Sequence, residues 1–189
     1  MDIKWDDRRT RQFVTNIGLT TSNGQWGHNV MATEWTHHVS YEPSYIMINV
    51  HDWDATVDNI KETGEFGVSL AAENQNIACS VAGGSSGKII DKIAALKELG
   101  IEFYNAHKID ALMIKGAVMN AECTVVKHEK VGDHIMFIGE VVDLAADENI
   151  KPLIYHNGKY CKIGENVHKP SPDVLENIKK IVEKHKKQV

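Results

Sequence analysis

The sequence predicts a mainly β fold, a β-barrel with helical insertions, and three observations support this fold class. At least seven stretches have the Val, Ile, Thr and aromatic content of strands, and most are joined by short turns rich in Gly, Asn and Asp. Helical patterns are confined to the middle and the end of the chain. Because strands and helices do not alternate regularly, an antiparallel barrel is favoured over a doubly wound sheet.

Size and composition predict a single domain that covers residues 1–189, because 42% of the 189 residues are apolar and can form one core. The formal net charge of -5 gives no electrostatic reason to expect a nucleic-acid partner. Residues 1–9 are charged from the start and lack the apolar stretch of a secretory signal, and no later run resembles a membrane span. Cys79, Cys123 and Cys161 show no C-x-x-C spacing. We therefore expect a soluble protein of a reducing cytoplasm.

Three strands are predicted to open the chain. Residues 12–21 and a second run that starts at Trp26 flank Asn23-Gly24, and Asn-Gly is the strongest short signal for a hairpin. The second run is expected to continue through Thr36 and to end near Pro43. Residues 45–50 then form a mostly buried third strand.

The middle of the chain is predicted to be helical. Residues 55–63 form the first helix, with Asp54 able to cap its first amides and Gly64 suited to a left-handed stop, and residues 65–70 return to a strand. Two further helices, at residues 72–81 and 91–99, are separated by a glycine-serine loop at 83–87, and Gly100 closes the second.

The last part of the chain is predicted to return to strands and to end in a helix. Residues 112–144 are strand-like with a turn at 130–133, and residues 153–155 and 159–163 form a final hairpin. A helix from about 171 to 187 begins with Ser171 as its cap and a first-turn proline. One apolar stripe of this helix is expected to serve core or dimer packing; it consists of Val174, Ile178, Ile181 and His185.

The loop at 83–87 matches two catalytic patterns imperfectly. Its G-x-S-x-G spacing suggests a hydrolase that uses Ser85, but a nucleophile elbow needs a preceding strand, and a helix is predicted there. A nucleotide P-loop is excluded because Ala82 and Ile89 replace a required glycine and a magnesium-binding hydroxyl. Loop amides, hydroxyls, Lys88 and Lys92 could still cradle one phosphate. The alternative is an ordinary flexible loop.

Ten histidines raise the question of a metal site. His37 and His38, with His28 and His51 nearby in sequence, are the obvious candidates. Adjacent residues of a strand point to opposite faces, so His37 and His38 cannot easily bind one ion. We therefore predict no native metal site.

The sequence also resembles the flavin reductase-like family, whose fold is the FMN-binding split barrel, over residues 13–164. The resemblance rests on an ordered set of segments rather than on any single motif. These segments are residues 29–33, 39–43, 55–68, 84–88, Asp91-Lys92, 132–141 and 152–160.

The resemblance implies three groups of FMN-binding residues. Residues of the second strand would offer backbone groups to the isoalloxazine; these are Asn29, Val30, Met31, Ala32 and Thr33. Residues at the start of the first helix would meet the ribityl chain and phosphate; these are Asp52, Trp53, Asp54, Ala55 and Thr56. The remaining contacts would come from Ser80, Ser85, Ser86, Lys88 and Lys92. The alternatives are an ordinary barrel strand, a plain first-turn threonine at position 56 and a solvated helix lysine at position 92.

The resemblance assigns His134, in the turn Gly132-Asp133-His134, to the nicotinamide side of the site. Hydride transfer to a flavin needs no protein acid, so His134 is expected to orient or polarise rather than to act as a base. The alternative is a histidine that is merely bonded at a turn. Trp35 and Tyr160 are weaker candidates for lining the flavin, and core packing is the favoured role for each.

The implied function is an FMN-binding homodimer, with flavin near the interface, that accepts electrons from NADH or NADPH. The reduced flavin would pass them to free flavin, ferric complexes, or a partner oxygenase or electron-transfer protein. The alternative is a flavoredoxin-like electron carrier that holds FMN but does not use nicotinamide directly. Neither nucleic acid nor membrane is expected as a partner.

Overall fold

The protein is described by a computed structural model that covers residues 1–4 and 7–187. Residues 5–6 of the charged N-terminal run, and residues 188–189 of the predicted domain, lie outside the described residues. Within the described residues, no helix has both the length and the apolar character that crossing a membrane requires.

Five strands open the chain, after a short 3-10 turn at Thr10–Gln12. Their bounds are β1, Val14–Asn16; β2, Gly18–Ser22; β3, Asn29–Thr33; β4, Thr36–Tyr41; and β5, Ser44–His51. The predicted hairpin is confirmed, because β2 and β3 pair antiparallel with Leu19 opposite Ala32. The run that was predicted as one strand through Thr36 is two strands, since the chain turns at Glu34 and Trp35.

This turn closes the barrel. The main sheet has seven strands in the order β3-β2-β6-β9-β10-β5-β4, in which β6 is Glu65–Leu70, β9 is Met119–Val131 and β10 is His134–Ala146. β3 and β4 are therefore the two edges of one sheet although they follow each other in the chain. The sheet curls so that β3 comes near β5. The Asn49 backbone amide donates to the Trp35 carbonyl at 3.0 Å, which extends the β4–β5 pairing to the turn that follows β3. We call the opening between β3 and β5 the seam.

The middle helices differ in how closely they match expectation. α1 (Ala55–Thr63) and the strand β6 have the predicted bounds, and Gly64 has the expected left-handed φ of 73°. α2 (Asn76–Gly84) begins four residues later than predicted, because Ala72 pairs with Pro152 and the Gln75 side chain accepts from the Ala72 amide. It also continues through the first two glycines of the predicted loop. α3 (Lys92–Glu98) starts at its cap Asp91.

The remaining strands form the rest of the framework. β7 (Phe103–Asn105) and β8 (Leu112–Ile114) make a small ladder, while β11 (Ile154–His156) and β12 (Lys159–Cys161) join β1 in a three-stranded sheet. The predicted run at 112–144 is thus β8, β9 and β10, interrupted at 115–118 and at the predicted turn.

Two apolar clusters form the core. One packs α2 and α3 against β2 and β3 and includes Leu19, Val30 and Leu96; the other packs α1 against the sheet and includes Phe66 and Phe137. In the second cluster strands approach closely, since a Cβ at Gly139 would lie 2.6 Å from the Phe66 ring. Glycine is therefore required at that position of β10.

The terminal helix α4 (Pro172–Lys184) has no buried residue. Val174, Ile178 and Ile181 are each between 45 and 51% exposed, so the prediction that this stripe packs into the core of the chain is wrong. Ser171 precedes the helix but its side chain forms no capping hydrogen bond. Dimer packing remains a prediction for this face.

Candidate functional site

A cavity with several polar groups in its wall lies at the seam. Its volume is about 650 Å³, and its walls come from the end of β3, the end of β5, α2, the start of β10 and the β11–β12 hairpin. We call it the seam cavity. Because β3 is an edge strand, the backbone groups on its outer side have no ladder partner among the described strands. The cavity therefore offers free main-chain donors and acceptors along one wall.

The predicted strand residues divide between the cavity and the core. Met31, Ala32 and Thr33 line the cavity. Val30 is fully buried in the apolar cluster of α2 and α3, and the Asn29 side chain donates to Thr56 Oγ1 at 2.9 Å. Although side chains alternate across a strand, the last three residues of β3 all line the cavity.

The segment before α1 places one carboxylate in the cavity wall. Asp54 lines the cavity, and its Oδ2 atom is buried without a hydrogen-bond partner. Asp52 lies outside, where it accepts from Lys130 Nζ at 2.5 Å. Ala55 and Thr56 are buried in the first turn of α1.

Four aromatic rings pack in series beside the cavity, and we call them the aromatic stack; Trp35, His134 and His51 line the cavity, and Trp53 lies outside it. The ring centroids are 4.6 Å apart for Trp35 and His134, 3.9 Å for His134 and His51, and 4.3 Å for His51 and Trp53. His134 Nδ1 contacts the Asp133 carboxylate at 2.7 Å, which fixes the orientation of its ring. The predicted residues Trp53 and His134 thus belong to the same aromatic stack.

The residues predicted for a phosphate cradle are not gathered in one place. Ser80 lines the seam cavity and lies 3.2 Å from the Tyr160 hydroxyl, whereas Ser85 and Ser86 are exposed. Lys88 forms an ion pair of 2.7 Å with Asp58. It lines a second cavity of about 490 Å³, bounded also by Trp26, His28 and Lys97.

Lys92 is buried, with only 3% of its surface exposed, so it is not a solvated helix lysine. Its Nζ donates to the Ala82 carbonyl at 3.1 Å. Burial lowers the Lys92 pKa to about 8, and the nearby Asp54 charge opposes that shift. Burial likewise raises the Asp54 pKa, opposed by His51 and Lys92 among others. These two charges are close enough to interact across the cavity wall.

Within the part of the chain that the structure describes, two groups of side chains have the composition of metal sites. One is His51, Asp133 and His134; the other is His107, Glu122 and Asp143. In the first group the two imidazoles are stacked at an interplanar angle of 33°, so their in-plane lone pairs do not converge at the wide angle of tetrahedral ligation. In the second, the Glu122 carboxylate already accepts from the backbone amides of His107 and Lys108. The absence of a native metal remains a prediction.

Comparison with known protein families identifies the family to which this chain belongs. A family profile described as "Flavin reductase like domain" matches residues 10–164, which is most of the chain. The chain belongs to the flavin reductase-like family. The family and fold that the sequence resemblance implied are both confirmed.

Three similar proteins illustrate the family. An NADH-dependent flavin reductase from Rhodococcus sp. is 25% identical over 134 residues, which is 70% of this chain and 68% of that protein. The reductase component of an FADH2-dependent resorcinol hydroxylase from Rhizobium sp. is 27% identical over 154 residues, 82% of each chain. The flavoredoxin of Desulfovibrio vulgaris superposes with a TM-score of 0.75 at 24% identity, over 89% of this chain and 97% of that one. For the first curated relatives, the chain spans 63 to 68% of their length.

Several cavity residues of this flavin reductase-like chain escaped sequence reasoning. Asn49 and His51 line the seam cavity, although residues 45–50 were predicted as a mostly buried strand. The observed burial of β5 alternates, and Ile48 and Val50 face the core. A strict period of two would have placed Asn49 and His51 on the other face. Trp35 and Tyr160 also line the cavity and are 49 and 40% exposed, so core packing was the wrong role for both.

The cavity holds no activated nucleophile. Cys79 lies in its wall, but burial raises the Cys79 pKa to about 12, which keeps the thiol protonated. Ser85 follows the helix α2 rather than a strand, as predicted, and is exposed. The described residues of the site therefore offer backbone groups, aromatic surface and charge rather than covalent chemistry.

Proposed function

We propose that this protein is an NAD(P)H:flavin oxidoreductase that binds FMN in the seam cavity. The observation that carries the proposal is the set of unpaired polar groups around this cavity in a chain of the flavin reductase-like family. Asn49 Oδ1 and Asp54 Oδ2 are buried without partners, and the outer edge of β3 is unpaired. Buried polar atoms usually have partners, so such a set indicates a place for a polar ligand.

The cavity suits a flavin in size and in chemistry. Its volume of about 650 Å³ lies within the range of roughly 300–1,000 Å³ that is usual for small-molecule sites. A flavin ring carries one N–H donor and several acceptors along its polar edge, which match the Asn49 acceptor and the backbone groups of β3. The ribityl hydroxyls can donate to Asp54. The Lys92 charge, which acts on Asp54, favours a phosphate at that end of the cavity.

Flavin chemistry supplies the step that the protein cannot, which is the acceptance of a hydride from a dihydronicotinamide. The protein contributes geometry. Asp133 holds His134, and His134 packs between Trp35 and His51 with interplanar angles of 34° and 33°, so these rings form an ordered aromatic surface beside the cavity. A nicotinamide held against this surface is positioned for transfer without any acid or base from the protein. His134 is accordingly a positioning residue.

Names of the relatives support the choice of donor and partner. The Rhodococcus protein is named as NADH-dependent, and the Rhizobium protein is the reductase component of a hydroxylase. We extend to this chain the use of NADH or NADPH and the delivery of reduced flavin to an oxygenase. The exposed apolar stripe of α4 supports a homodimer. Cys79 and Cys123, both buried and free, suit a reducing cytoplasm.

Anaerobic addition of NADH, and separately of NADPH, to the FMN-loaded protein tests the proposal. We expect the visible absorption of oxidised flavin to bleach with at least one of them. Bleaching by dithionite or a reduced donor protein alone would instead support a carrier like flavoredoxin, the fold neighbour described above. Loss of ester hydrolysis in Ser85→Ala would be required for a hydrolase, and we expect no such activity.

A further inference from the structure

Asp54 occupies an unusual position for a carboxylate at the start of a helix. It is the residue before α1, where an aspartate commonly accepts from the first amides, yet its side chain makes no capping hydrogen bond. Its Oδ2 atom is instead buried in the wall of the seam cavity and has no partner. The carboxylate is therefore directed away from its usual local role.

The surroundings of Asp54 are also where an anionic ligand would be drawn. The cations Lys92 and Lys88 are close enough to Asp54 to act on its charge, although Lys88 is paired with Asp58 and lines the second cavity. A phosphate that approaches these cations comes close to the Asp54 carboxylate. Two negative groups in a partly desolvated site repel each other more strongly than they would in water.

We propose that Asp54 is a specificity-determining residue that weakens the binding of phosphorylated flavin at neutral pH, so that FMN passes through the site as an exchangeable substrate. This inference rests on the proposed function, because it assumes that the seam cavity is the flavin site. The Asp54 carboxylate can accept a hydrogen bond from a ribityl hydroxyl, whereas its charge repels the phosphate. The ring and ribityl chain contribute attraction, and the Asp54 charge limits how long the phosphate stays.

The charges around Asp54 set the pH dependence of this effect. His51 on β5, His134 on β10, Lys92 on α3 and Lys88 in the preceding loop all face it with positive or titratable groups. Burial nevertheless dominates and raises the Asp54 pKa. Protonation of Asp54 removes the repulsion, so FMN affinity should rise as the pH falls. Riboflavin, which lacks the phosphate, should show little of this rise.

The test is a fluorescence titration of the full chain with FMN and with riboflavin, in the wild type and in Asp54→Asn. At neutral to mildly alkaline pH we expect Asp54→Asn to bind FMN about tenfold more tightly, which corresponds to roughly 1.4 kcal/mol. Riboflavin affinity should change less than about threefold, a difference of roughly 0.6 kcal/mol. After gel filtration with FMN, Asp54→Asn should retain more flavin than the wild type.

Three controls make the outcome decisive. Glu98→Gln removes an exposed carboxylate of α3 that lines neither cavity, and it should leave the ratio of FMN to riboflavin affinity unchanged. The phosphate of FMN itself gains a proton near pH 6, and this contribution appears alone in the pH profile of Asp54→Asn. Asp54→Ser provides a second uncharged variant if the asparagine variant does not fold.

Weaker FMN binding in Asp54→Asn would overturn the inference, because the Asp54 charge would then favour FMN instead of opposing it. An unchanged ratio of FMN to riboflavin affinity would overturn it as well. If the wild type binds neither flavin at any pH, the proposed function fails and the inference fails with it. If the wild type binds riboflavin and binds FMN more tightly still at neutral pH, the inference fails while the proposed function stands.

Discussion

In two regions of this protein, the buried polar groups find hydrogen-bond partners to very different degrees. Glu122, on β9, is 3% exposed, and its carboxylate accepts from the amides of His107 and Lys108 at 2.6 to 3.0 Å. Lys92 is equally buried, but one hydrogen bond from its Nζ is present, to Ala82. At the seam, Asn49 Oδ1 and Asp54 Oδ2 have no partner.

Whether a buried polar group has hydrogen-bond partners distinguishes groups that stabilise the fold from groups that serve a ligand site. An unpaired buried polar atom costs about 1–3 kcal/mol, so a fold retains several of them in one place only where something else compensates. Asn59 shows the structural pattern again: its side chain accepts from the Trp26 backbone amide and donates to the Gly27 carbonyl in the turn before β3 and to Ser22 Oγ at the end of β2. The seam groups lack such partners because they border a cavity. A ligand that supplies donors there completes the set.

The largest effect is expected where the polar network is complete. Glu122→Ala leaves two backbone amides buried without an acceptor, so we expect the free energy of unfolding to fall by about 3–5 kcal/mol, as measured by urea denaturation. Flavin affinity of the folded fraction should not change. Glu140→Ala, an exposed glutamate on the neighbouring strand, should alter stability by less than about 0.5 kcal/mol. Equal losses in the free energy of unfolding of the two variants would contradict the view that the hydrogen bonds of Glu122 stabilise the fold.

Lys92→Met should have opposite effects on stability and on binding. Because the Lys92 pKa is lowered in the folded state, its charged form opposes folding at neutral pH. That penalty is on the order of 3 kcal/mol for a shift from 10.5 to about 8. Loss of the bond to Ala82 offsets about 1–2 kcal/mol, so the flavin-free variant should be more stable by roughly 1–2 kcal/mol.

The pH dependence gives the sign of this effect. A lysine with a lowered folded pKa contributes stability above its ordinary pKa, and that contribution is lost as the pH falls through about 8. The advantage of Lys92→Met should therefore shrink as the pH is raised from about 7 to about 10. FMN should bind about tenfold more weakly to Lys92→Met, with a smaller change for riboflavin. A variant that is both less stable and unchanged in FMN affinity would contradict the assignment of Lys92 to the site.

His134→Ala should separate positioning from binding. Removal of the ring between Trp35 and His51 is expected to lower kcat/KM for NADH about fivefold, while the FMN dissociation constant changes less than about twofold. His37→Ala, which removes an exposed histidine of β4, is the matched control and should leave both quantities unchanged. If activity fell by several orders of magnitude with FMN still bound, His134 would be an acid or base rather than a positioning residue.

The smallest expected effect concerns Asp54 in the absence of flavin. A raised carboxyl pKa means that the stabilising contribution is present below the ordinary value of 3.8 and is lost as the pH rises through the folded value. Ionised Asp54 thus slightly opposes folding at neutral pH, and solvent screens part of the penalty. Thermal unfolding should show Asp54→Asn about 1–2 °C more stable than the wild type at neutral pH, with no gain in acid. A lower Tm would indicate a capping role.

Local signals allowed parts of this fold to be predicted from the sequence at the level of single residues. Gly64 ends α1 as expected because a left-handed residue is a local requirement, and the bounds of β6 follow from it. The break between β3 and β4 could not be predicted in this way. Both halves are strand-like, and only closure of the sheet assigns them to opposite edges.

The residues of the candidate site also divide into those that could be predicted from the sequence and those that depend on tertiary structure. The resemblance identified β3, the start of α1 and His134, each of which contributes to the seam cavity. It placed Lys88 with Lys92, whereas Lys88 is paired with Asp58, thirty residues away in sequence. That pairing depends on tertiary geometry, as does the approach of His51 to His134 across adjacent strands.

A structure of the protein crystallised with FMN would test the central claim most directly. We expect the flavin ring at the seam between β3 and the aromatic stack, with a donor within about 3.2 Å of Asn49 Oδ1 and the phosphate at the end of the cavity nearest Asp54 and Lys92. A flavin bound instead in the second cavity, beside Trp26 and Lys97, with Asn49 and Asp54 still unpartnered, would contradict it.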